Sequence, residues 1–318
     1  MTDMLDRTVL DTAARIRAGV DSVLAGKADS TRMAVTVLLA GGHLLIEDVP
    51  GVGKTMLAKS LARTLGVTVR RMQFTPDLLP SDVTGVSVFN QETRDFEFRP
   101  GAIFANIVLA DEINRASPKT QSALLEAMEE HQVTVDGTTH ILATPFLVIA
   151  TQNPVDMEGT YALPEAQRDR FMARISLGYP SQADELRMLS DHAGEDPLET
   201  LAPACTHAEL TALMDAVSQV HLSEPVRQLA VALTTASRSS DELRLGASPR
   251  STLHLVRAAR AWAALEGRSF VLPDDLLVLG PTVLGHRVLL SPAAAAAGRT
   301  GQDVIATLQQ RLRRNAWS

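Results

Sequence analysis

A lysine and a threonine follow a glycine-rich turn early in the chain, and this is the clearest chemical signal in the sequence. The turn and the residues after it are Pro50, Gly51, Val52, Gly53, Lys54, Thr55 and Met56. Backbone N–H groups of such a loop can bind phosphate oxygens, and the helix N-terminus adds partial positive charge. We expect Lys54 to reach the β- and γ-phosphates and the Thr55 hydroxyl to bind Mg²⁺. The sequence therefore predicts a nucleotide site here.

The flanking residues predict the strand and the helix that such a loop requires. Residues 44–46 are apolar and typical of a buried strand, and leucines then recur at helical spacing as far as Leu65. Gly66 follows as a helix stop. One residue departs from the usual motif, because Asp48 stands where the first glycine is expected.

Two carboxylates end the next apolar run, residues 106–112, which reads NIVLADE. A continuous run of apolar, β-prone residues predicts a strand buried on both faces. Ligands of open α/β sheets bind at the carboxyl ends of the strands. We therefore expect Asp111, with Thr55, to hold Mg²⁺ and Glu112 to polarise an attacking water molecule. The simpler alternative is a strand followed by a solvated acidic turn.

A further polar residue, Asn153, follows the apolar run 146–150. If the two apolar runs form neighbouring strands, Asn153 could orient water against the γ-phosphate. By itself, however, Asn153-Pro154 is also a common turn.

Composition excludes several classes of protein. The chain has 318 residues, a formal net charge of −7 and a pI of about 5.6, which disfavours a large nonspecific nucleic-acid surface. Cys205 is the only cysteine, so no intramolecular disulfide can form. The N-terminal residues lack the apolar core of a signal peptide, and the apolar run 33–46 is too short to cross a bilayer. We expect a cytoplasmic protein without stable membrane insertion.

The remaining patterns indicate two domains. Residues 1–180 alternate strand and helix patterns, beginning with helices at 5–20 and 30–40, whereas residues 181–318 read as helices. Within the first domain, residues 86–98 predict a short hairpin or helix insertion. Residues 132–142 predict a hairpin around Asp136-Gly137. No zinc-ligand spacing or G-x-S-x-G motif is present, and the missing N-K-x-D motif favours adenine over guanine.

The order of these motifs resembles that of the MoxR-family AAA+ ATPases. The resemblance rests on PGVGKT, LADEINRA, ATQNP, LPEAQRDRF and GASPR, and it extends from about Leu24 to the C-terminus. It implies an α/β fold: an AAA+ P-loop core with a five-stranded parallel sheet and helices on both faces, plus a C-terminal all-α lid. The insertion at 86–98 matches the family's helix-2 insert, and the hairpin at 132–142 matches its pre-sensor hairpin.

The resemblance also implies roles for individual residues. Lys54 and Thr55 match Walker A, Asp111 and Glu112 match Walker B, Asn153 matches sensor 1, Arg170 the arginine finger and Arg250 sensor 2. The finger would act on a neighbouring subunit, in a ring that is typically hexameric, and Arg250 would touch the γ-phosphate when the lid closes. Two departures leave points open. Gly26-Lys27 replaces the Gly-Gln expected at the adenine contact, and Arg168 is a second arginine near the finger position.

The family implies a function driven by ATP and Mg²⁺: chaperone-like remodelling or maturation of protein partners, often partners with a von Willebrand factor A domain. Two alternatives share the core architecture, namely a nucleic-acid motor resembling the MCM helicases and a metal-chelatase ATPase subunit. In MCM helicases the hairpin carries basic residues, whereas residues 132–142 contain neither Lys nor Arg. We therefore expect protein partners and no nucleic acid.

Overall fold

A computed structural model describes residues 7–24, 26–153, 161–191 and 197–316. The strands are β1 (Leu44–Glu47), β2 (Val69–Gln73), β3 (Gly85–Asn90), β4 (Asp95–Pro100), β5 (Ile107–Asp111), β6 (Gln132–Val135), β7 (Thr138–Ile141), β8 (Leu147–Gln152), β9 (Ala173–Ile175), β10 (Leu243–Leu245) and β11 (Leu289–Leu290). The helices are α1 (Arg7–Asp21), α2 (Ala28–Leu39), α3 (Lys54–Leu65), α4 (Pro80–Thr84), α5 (Pro118–Glu130), α6 (Glu165–Arg168), α7 (Gln182–Asp191), α8 (Pro197–Thr200), α9 (His207–Ser218), α10 (Glu224–Arg238), α11 (Pro249–Leu265), α12 (Pro273–Leu284), α13 (Pro292–Ala296) and α14 (Gly301–Ala316).

The central sheet has five parallel strands in the order β2-β5-β8-β1-β9. The two apolar runs of the sequence form its centre, with Leu109 paired to Ile149 and Ala110 to Ala150. Because all five strands run the same way, their carboxyl ends meet at one edge of the sheet. The predicted parallel α/β core is confirmed.

Alternate residues of the central strands pack into two hydrophobic cores, one on each face of the sheet. Ile107 and Leu109 face a core that includes α1, α2 and α3. Val108 and Ala110 face a second core built with α4 and α5. Helices therefore cover both faces, as expected for a parallel sheet.

Both insertions are two-stranded antiparallel hairpins. Residues 86–98, for which a hairpin or a helix was expected, lie in the β3–β4 hairpin. The β6–β7 hairpin turns through Asp136 and Gly137, whose positive φ angles of 48° and 79° suit a tight two-residue turn. The ring of Phe98 stacks on that of His140, with centroids 3.8 Å apart, so the two hairpins contact each other.

The C-terminal part of the chain is helical, as expected, with one addition. Leu243–Leu245 and Leu289–Leu290 form a small antiparallel pair between helices, which two or three residues of alternation are too short to predict. One hydrophobic core is continuous between the two parts of the chain, since it contains Ile16 of α1 and Leu38 of α2 as well as Leu255 of α11. Within the described residues, none of the helices is both long and apolar enough to cross a bilayer.

The linker between the two parts, residues 176–180, is held by two side chains of opposite charge. Asp48 Oδ2 accepts hydrogen bonds from Ser176 Oγ (2.9 Å), Leu177 N (2.6 Å) and Gly178 N (2.7 Å). Lys27 Nζ donates to the carbonyl oxygens of residues 177–179 over 2.6–2.9 Å. Asp48 and Lys27 both stand at positions where the sequence departs from its motif, and in the structure both bind the same linker.

We expect Asp48→Asn to lower the free energy of unfolding by about 1–3 kcal/mol, because an amide turns N–H groups toward N–H donors. Burial raises the pKa of Asp48, but hydrogen bonds from Gly178, Ser176, Val49 and Leu177 outweigh it, so the net pKa is lowered. The contribution is therefore present above about pH 4 and is lost as the pH falls through the folded-state pKa. Denaturant unfolding followed by circular dichroism measures it, with the exposed Asp215→Asn as control. If the two variants were equally stable between pH 5 and 8, the proposed contribution of Asp48 to holding the linker would be wrong.

Candidate nucleotide site

A cavity of about 440 Å³ opens at the carboxyl edge of the sheet, above β1, β5 and β8. It is lined by Pro50, Gly51, Gly53, Lys54, Thr55, Met56, Lys59, Arg71, Gln73, Asp111, Glu112, Asn153 and Leu198. Most of the predicted phosphate and Mg²⁺ residues therefore meet in one place, although they are up to about a hundred residues apart in sequence.

The glycine loop has the backbone shape that its composition predicts. Gly51 and Gly53 adopt φ angles of 85° and 99°, which residues with side chains rarely adopt. A Cβ atom on Gly51 would meet nothing within 4 Å, so the loop faces open space on that side. Val52 points inward instead and is 7% exposed. Helix α3 begins at Lys54, so its unpaired N–H groups lie at the cavity.

Lys54 is held close to the base of the loop. Its Nζ donates to the carbonyl oxygen of Asp48 over 2.7 Å. Burial lowers its pKa, while the carboxylates of Asp111, Asp48 and Glu112 oppose that effect. The ammonium therefore lies at the cavity with a neutral acceptor in place, and an anion entering the loop would be a stronger partner.

The hydroxyl of Thr151 fixes both acidic residues at the end of β5. It donates to Asp111 Oδ1 over 2.7 Å and accepts a hydrogen bond from the Glu112 backbone N–H over 2.9 Å. Glu112 itself adopts a left-handed backbone, with φ 56°, so the chain turns sharply after Asp111. This turn directs the two neighbouring carboxylates into the same cavity.

Two residues of β2, which the sequence analysis missed, bind these carboxylates. Arg71 contacts Asp111 Oδ2 through Nη2 at 2.7 Å and Nε at 3.1 Å. Gln73 Nε2 donates to Glu112 Oε2 over 2.7 Å, and Arg115 Nε lies 3.1 Å from the same oxygen. The pattern of β2 gives no sign of this role, because only the pairing of Gln73 with Asp111 in the sheet reveals it.

The site residues fit a magnesium nucleotide. The Thr55 hydroxyl and the Asp111 carboxylate are oxygen ligands of the kind that Mg²⁺ prefers, and the positive charges of Lys54, Lys59 and Arg71 could offset the negative charges of phosphate groups. Among the described residues, no group of three or more His, Cys, Asp or Glu side chains could form a metal cage. Mg²⁺ at phosphoryl-transfer sites needs no such cage, since phosphate and water supply most of its ligands.

Gly26, predicted at the adenine contact, lies outside the lining of this cavity. Its φ is 71°, and a Cβ atom there would lie 2.2 Å from Asp184 Oδ2. Leu198 of α8, to which the sequence analysis gave no role, lines the cavity instead. The role of Gly26 toward adenine therefore stays a prediction.

The two predicted arginines lie together in a different cavity of about 150 Å³. Arg170 Nη2 is 3.2 Å from Glu129 Oε2, and Arg250 forms an ion pair with the other oxygen of the same carboxylate. Neither arginine lines the cavity around Lys54. Arg168 does not line this cavity, and its Nη2 lies 3.9 Å from Glu165 Oε1. The assignment of Arg170 as the finger stays a prediction.

Known proteins are similar to this chain in both sequence and architecture. The ATPase family associated with various cellular activities (AAA) matches residues 43–173, and the AAA lid domain matches residues 235–308. A crystal structure described as that of a candidate ATPase from Cytophaga hutchinsonii is 37% identical, with a TM-score of 0.89 and coverage of 95% of this chain and 94% of that one.

Relatives with sequence similarity cover most of the chain. The uncharacterized protein YeaC of Bacillus subtilis is 50% identical over 286 residues, which are 90% of this chain and 89% of that protein. Chaperone MoxR1 of Mycobacterium tuberculosis is 40% identical and covers 90% of this chain and 78% of its own length. Protein MoxR of Paracoccus denitrificans is 32% identical, with coverage of 91% and 93%. Because two MoxR proteins are more than 30% identical to it over most of both chains, this chain belongs to the MoxR family of AAA+ ATPases.

Proposed function

We propose that this protein binds ATP with Mg²⁺, hydrolyses it, and uses the cycle to remodel or mature protein partners. The observation that carries the proposal is the convergence of Lys54, Thr55, Asp111, Glu112 and Asn153 on one cavity. Phosphoryl transfer requires positioning and charge stabilisation more than covalent chemistry from the protein, and these side chains are suited to both tasks.

Each side chain has a role that its surroundings support. Thr55 and Asp111 would hold Mg²⁺, which neutralises charge on the β- and γ-phosphate oxygens. Lys54 would exchange the Asp48 carbonyl for phosphate, a stronger acceptor. Glu112, oriented by Gln73 and Arg115, would accept a proton from the attacking water.

The first test separates binding from hydrolysis. Lys54→Ala should abolish ATP binding, because the loop loses its phosphate cation, whereas Glu112→Gln should still bind ATP with turnover reduced by about 10²–10⁴-fold. Fluorescent-nucleotide titration and phosphate release measure the two effects. The exposed residues Lys119→Ala and Glu126→Gln are matched controls. Full nucleotide binding by Lys54→Ala, or normal turnover by Glu112→Gln, would contradict these assignments.

We further propose that the active site is shared between the subunits of a closed ring, such as the hexamer typical of the family. Arg170 and Arg250 line a cavity separate from that of their own Lys54, and their side chains are 29% and 41% exposed. Both guanidinium groups are partly exposed and share one carboxylate. They could exchange that carboxylate for a phosphate group bound in a neighbouring subunit. Arginine is suited to this task because it is always charged and binds phosphate with two parallel hydrogen bonds.

A mixing experiment tests the shared site. Arg170→Ala should lose about 10³–10⁵-fold in hydrolysis if it is a finger supplied in trans, and Lys54→Ala should be inactive by itself. A mixture of the two should regain part of the activity, because some intact loops then face intact arginines. Steady-state phosphate release as a function of the mixing ratio measures the recovery. Normal hydrolysis by Arg170→Ala would instead point to Arg168 or to a complete site within one subunit.

The choice of protein partners rests on charge and on relatives. The β6–β7 hairpin carries Asp136 and no Lys or Arg, and the whole chain has a formal net charge of −7. Both features disfavour binding to a polyanion. One relative is named a chaperone. We therefore favour a protein client, such as one with a von Willebrand factor A domain, over the nucleic-acid motor and the metal-chelatase subunit.

A further inference from the structure

Asp169 stands between Arg168 and Arg170 in the sequence, and it has no role in the reaction described so far. Its side chain is 18% exposed, and it directly precedes Arg170 at the end of α6. Its carboxylate accepts hydrogen bonds from Ser248 Oγ over 3.1–3.2 Å and from Ser251 Oγ over 3.2 Å. It also forms an ion pair with Arg287 Nη1 at 2.9 Å. All three donors belong to the C-terminal helical part of the chain.

The two serines are the capping residues of α11, the helix that carries Arg250. Ser248 is its N-cap, and its hydroxyl accepts from the backbone N–H of Ser251 over 3.2 Å. Arg250 lies between them in the first helical turn. A carboxylate at this end also interacts favourably with the positive end of the 17-residue helix. Asp169 therefore binds the hydroxyl groups of Ser248 and Ser251, which stand before and after Arg250 in the first turn of α11.

Arg287 adds a buried connection to the same point. Its side chain is 1% exposed, and besides Asp169 its Nη2 binds the carbonyl oxygen of Phe171 and the Nδ1 of His254. Burial, together with the charges of Arg287, Arg257 and Arg250, lowers the pKa of His254 to about 2. The histidine is therefore a neutral acceptor, so the counter-charge for the buried guanidinium comes from Asp169.

The guanidinium groups of Arg170 and Arg250 both contact Glu129, in the last turn of α5. Arg170 binds one carboxylate oxygen and Arg250 the other, although the two arginines come from opposite sides of the linker. Arg250 Nη1 also lies 4.0 Å from Asp169 Oδ2. The two guanidinium groups are thus arranged around one anion, and Asp169 fixes the backbone segments from which they extend.

We propose that Asp169 is a positioning residue that joins the finger segment to the first turn of α11, so that Arg170 and Arg250 engage a neighbouring subunit's phosphate as one unit. This inference rests on the proposed shared site. We call the contacts of Asp169 with Ser248, Ser251 and Arg287 the joint. If the joint were purely structural, loosening it would not affect catalysis specifically. We expect instead that loosening it impairs catalysis and uncouples the two arginines, while the nucleotide cavity of the same subunit stays intact.

The experiment uses full-length protein and two ways to loosen the joint. Asp169→Asn removes the charge, and the double variant Ser248→Ala/Ser251→Ala removes the hydroxyl donors but keeps the pair between Asp169 and Arg287. Glu165→Gln, a 48% exposed carboxylate on α6, is the matched control. We expect both loosened variants to assemble and to bind fluorescent nucleotide with unchanged affinity. Their kcat should fall by about tenfold or more, whereas Glu165→Gln keeps wild-type kcat.

A double-mutant cycle supplies a readout that a structural role would not move. In the wild-type background, Arg170→Ala and Arg250→Ala should be strongly non-additive, because either change breaks the unit. In the serine double variant the further loss on Arg250→Ala should shrink to about threefold or less, since the arginine is already misplaced.

Failure of this inference and failure of the shared site look different. If Arg170→Ala and Arg250→Ala both hydrolyse ATP normally, the shared site itself is wrong. If they are inactive while Asp169→Asn and the serine double variant keep wild-type kcat, the positioning role of Asp169 is wrong. Should Asp169→Asn fail to fold because Arg287 is left unpaired, the serine double variant decides by itself.

Discussion

The parallel pairing of β5 with β2 on one side and β8 on the other determines the rest of the site. This pairing puts Gln73 beside Asp111, and it brings the Thr151 hydroxyl between Asp111 and the backbone of Glu112. Without it, the two carboxylates would be an ordinary acidic turn. The strands are buried on both faces, so their register is fixed by two hydrophobic cores at once.

The connection between the sheet and the lid depends on three charged side chains, those of Asp48, Lys27 and Asp169. Asp48 and Lys27 bind the linker through its N–H and carbonyl groups, and Asp169 binds the first turn of α11. Asp48 also contacts Lys54 through its carbonyl oxygen, so one residue touches both the phosphate loop and the linker.

The sequence was sufficient to predict the central parallel strands, the glycine loop and the side chains next to that loop, because buried parallel strands and glycine loops have strong local patterns. It was not sufficient for Arg71, Gln73 and Leu198, since their roles arise from which elements become neighbours. It also gave no sign that Arg250 and Arg170 would share Glu129 as a partner. Where a residue of the lid lies relative to the core depends on long-range packing, which no local sequence pattern encodes. The motif departures at Asp48 and Lys27 were visible, but their shared partner was not.

We propose that arginines of one subunit complete the nucleotide site of the next. A cryo-electron microscopy structure of the Glu112→Gln protein with ATP and Mg²⁺ tests this proposal most directly. We expect a closed ring in which Arg170 and Arg250 have left Glu129 and contact the neighbour's γ-phosphate at about 2.7–2.9 Å. A nucleotide-bound monomer, or a ring in which both arginines remain on Glu129, would contradict it.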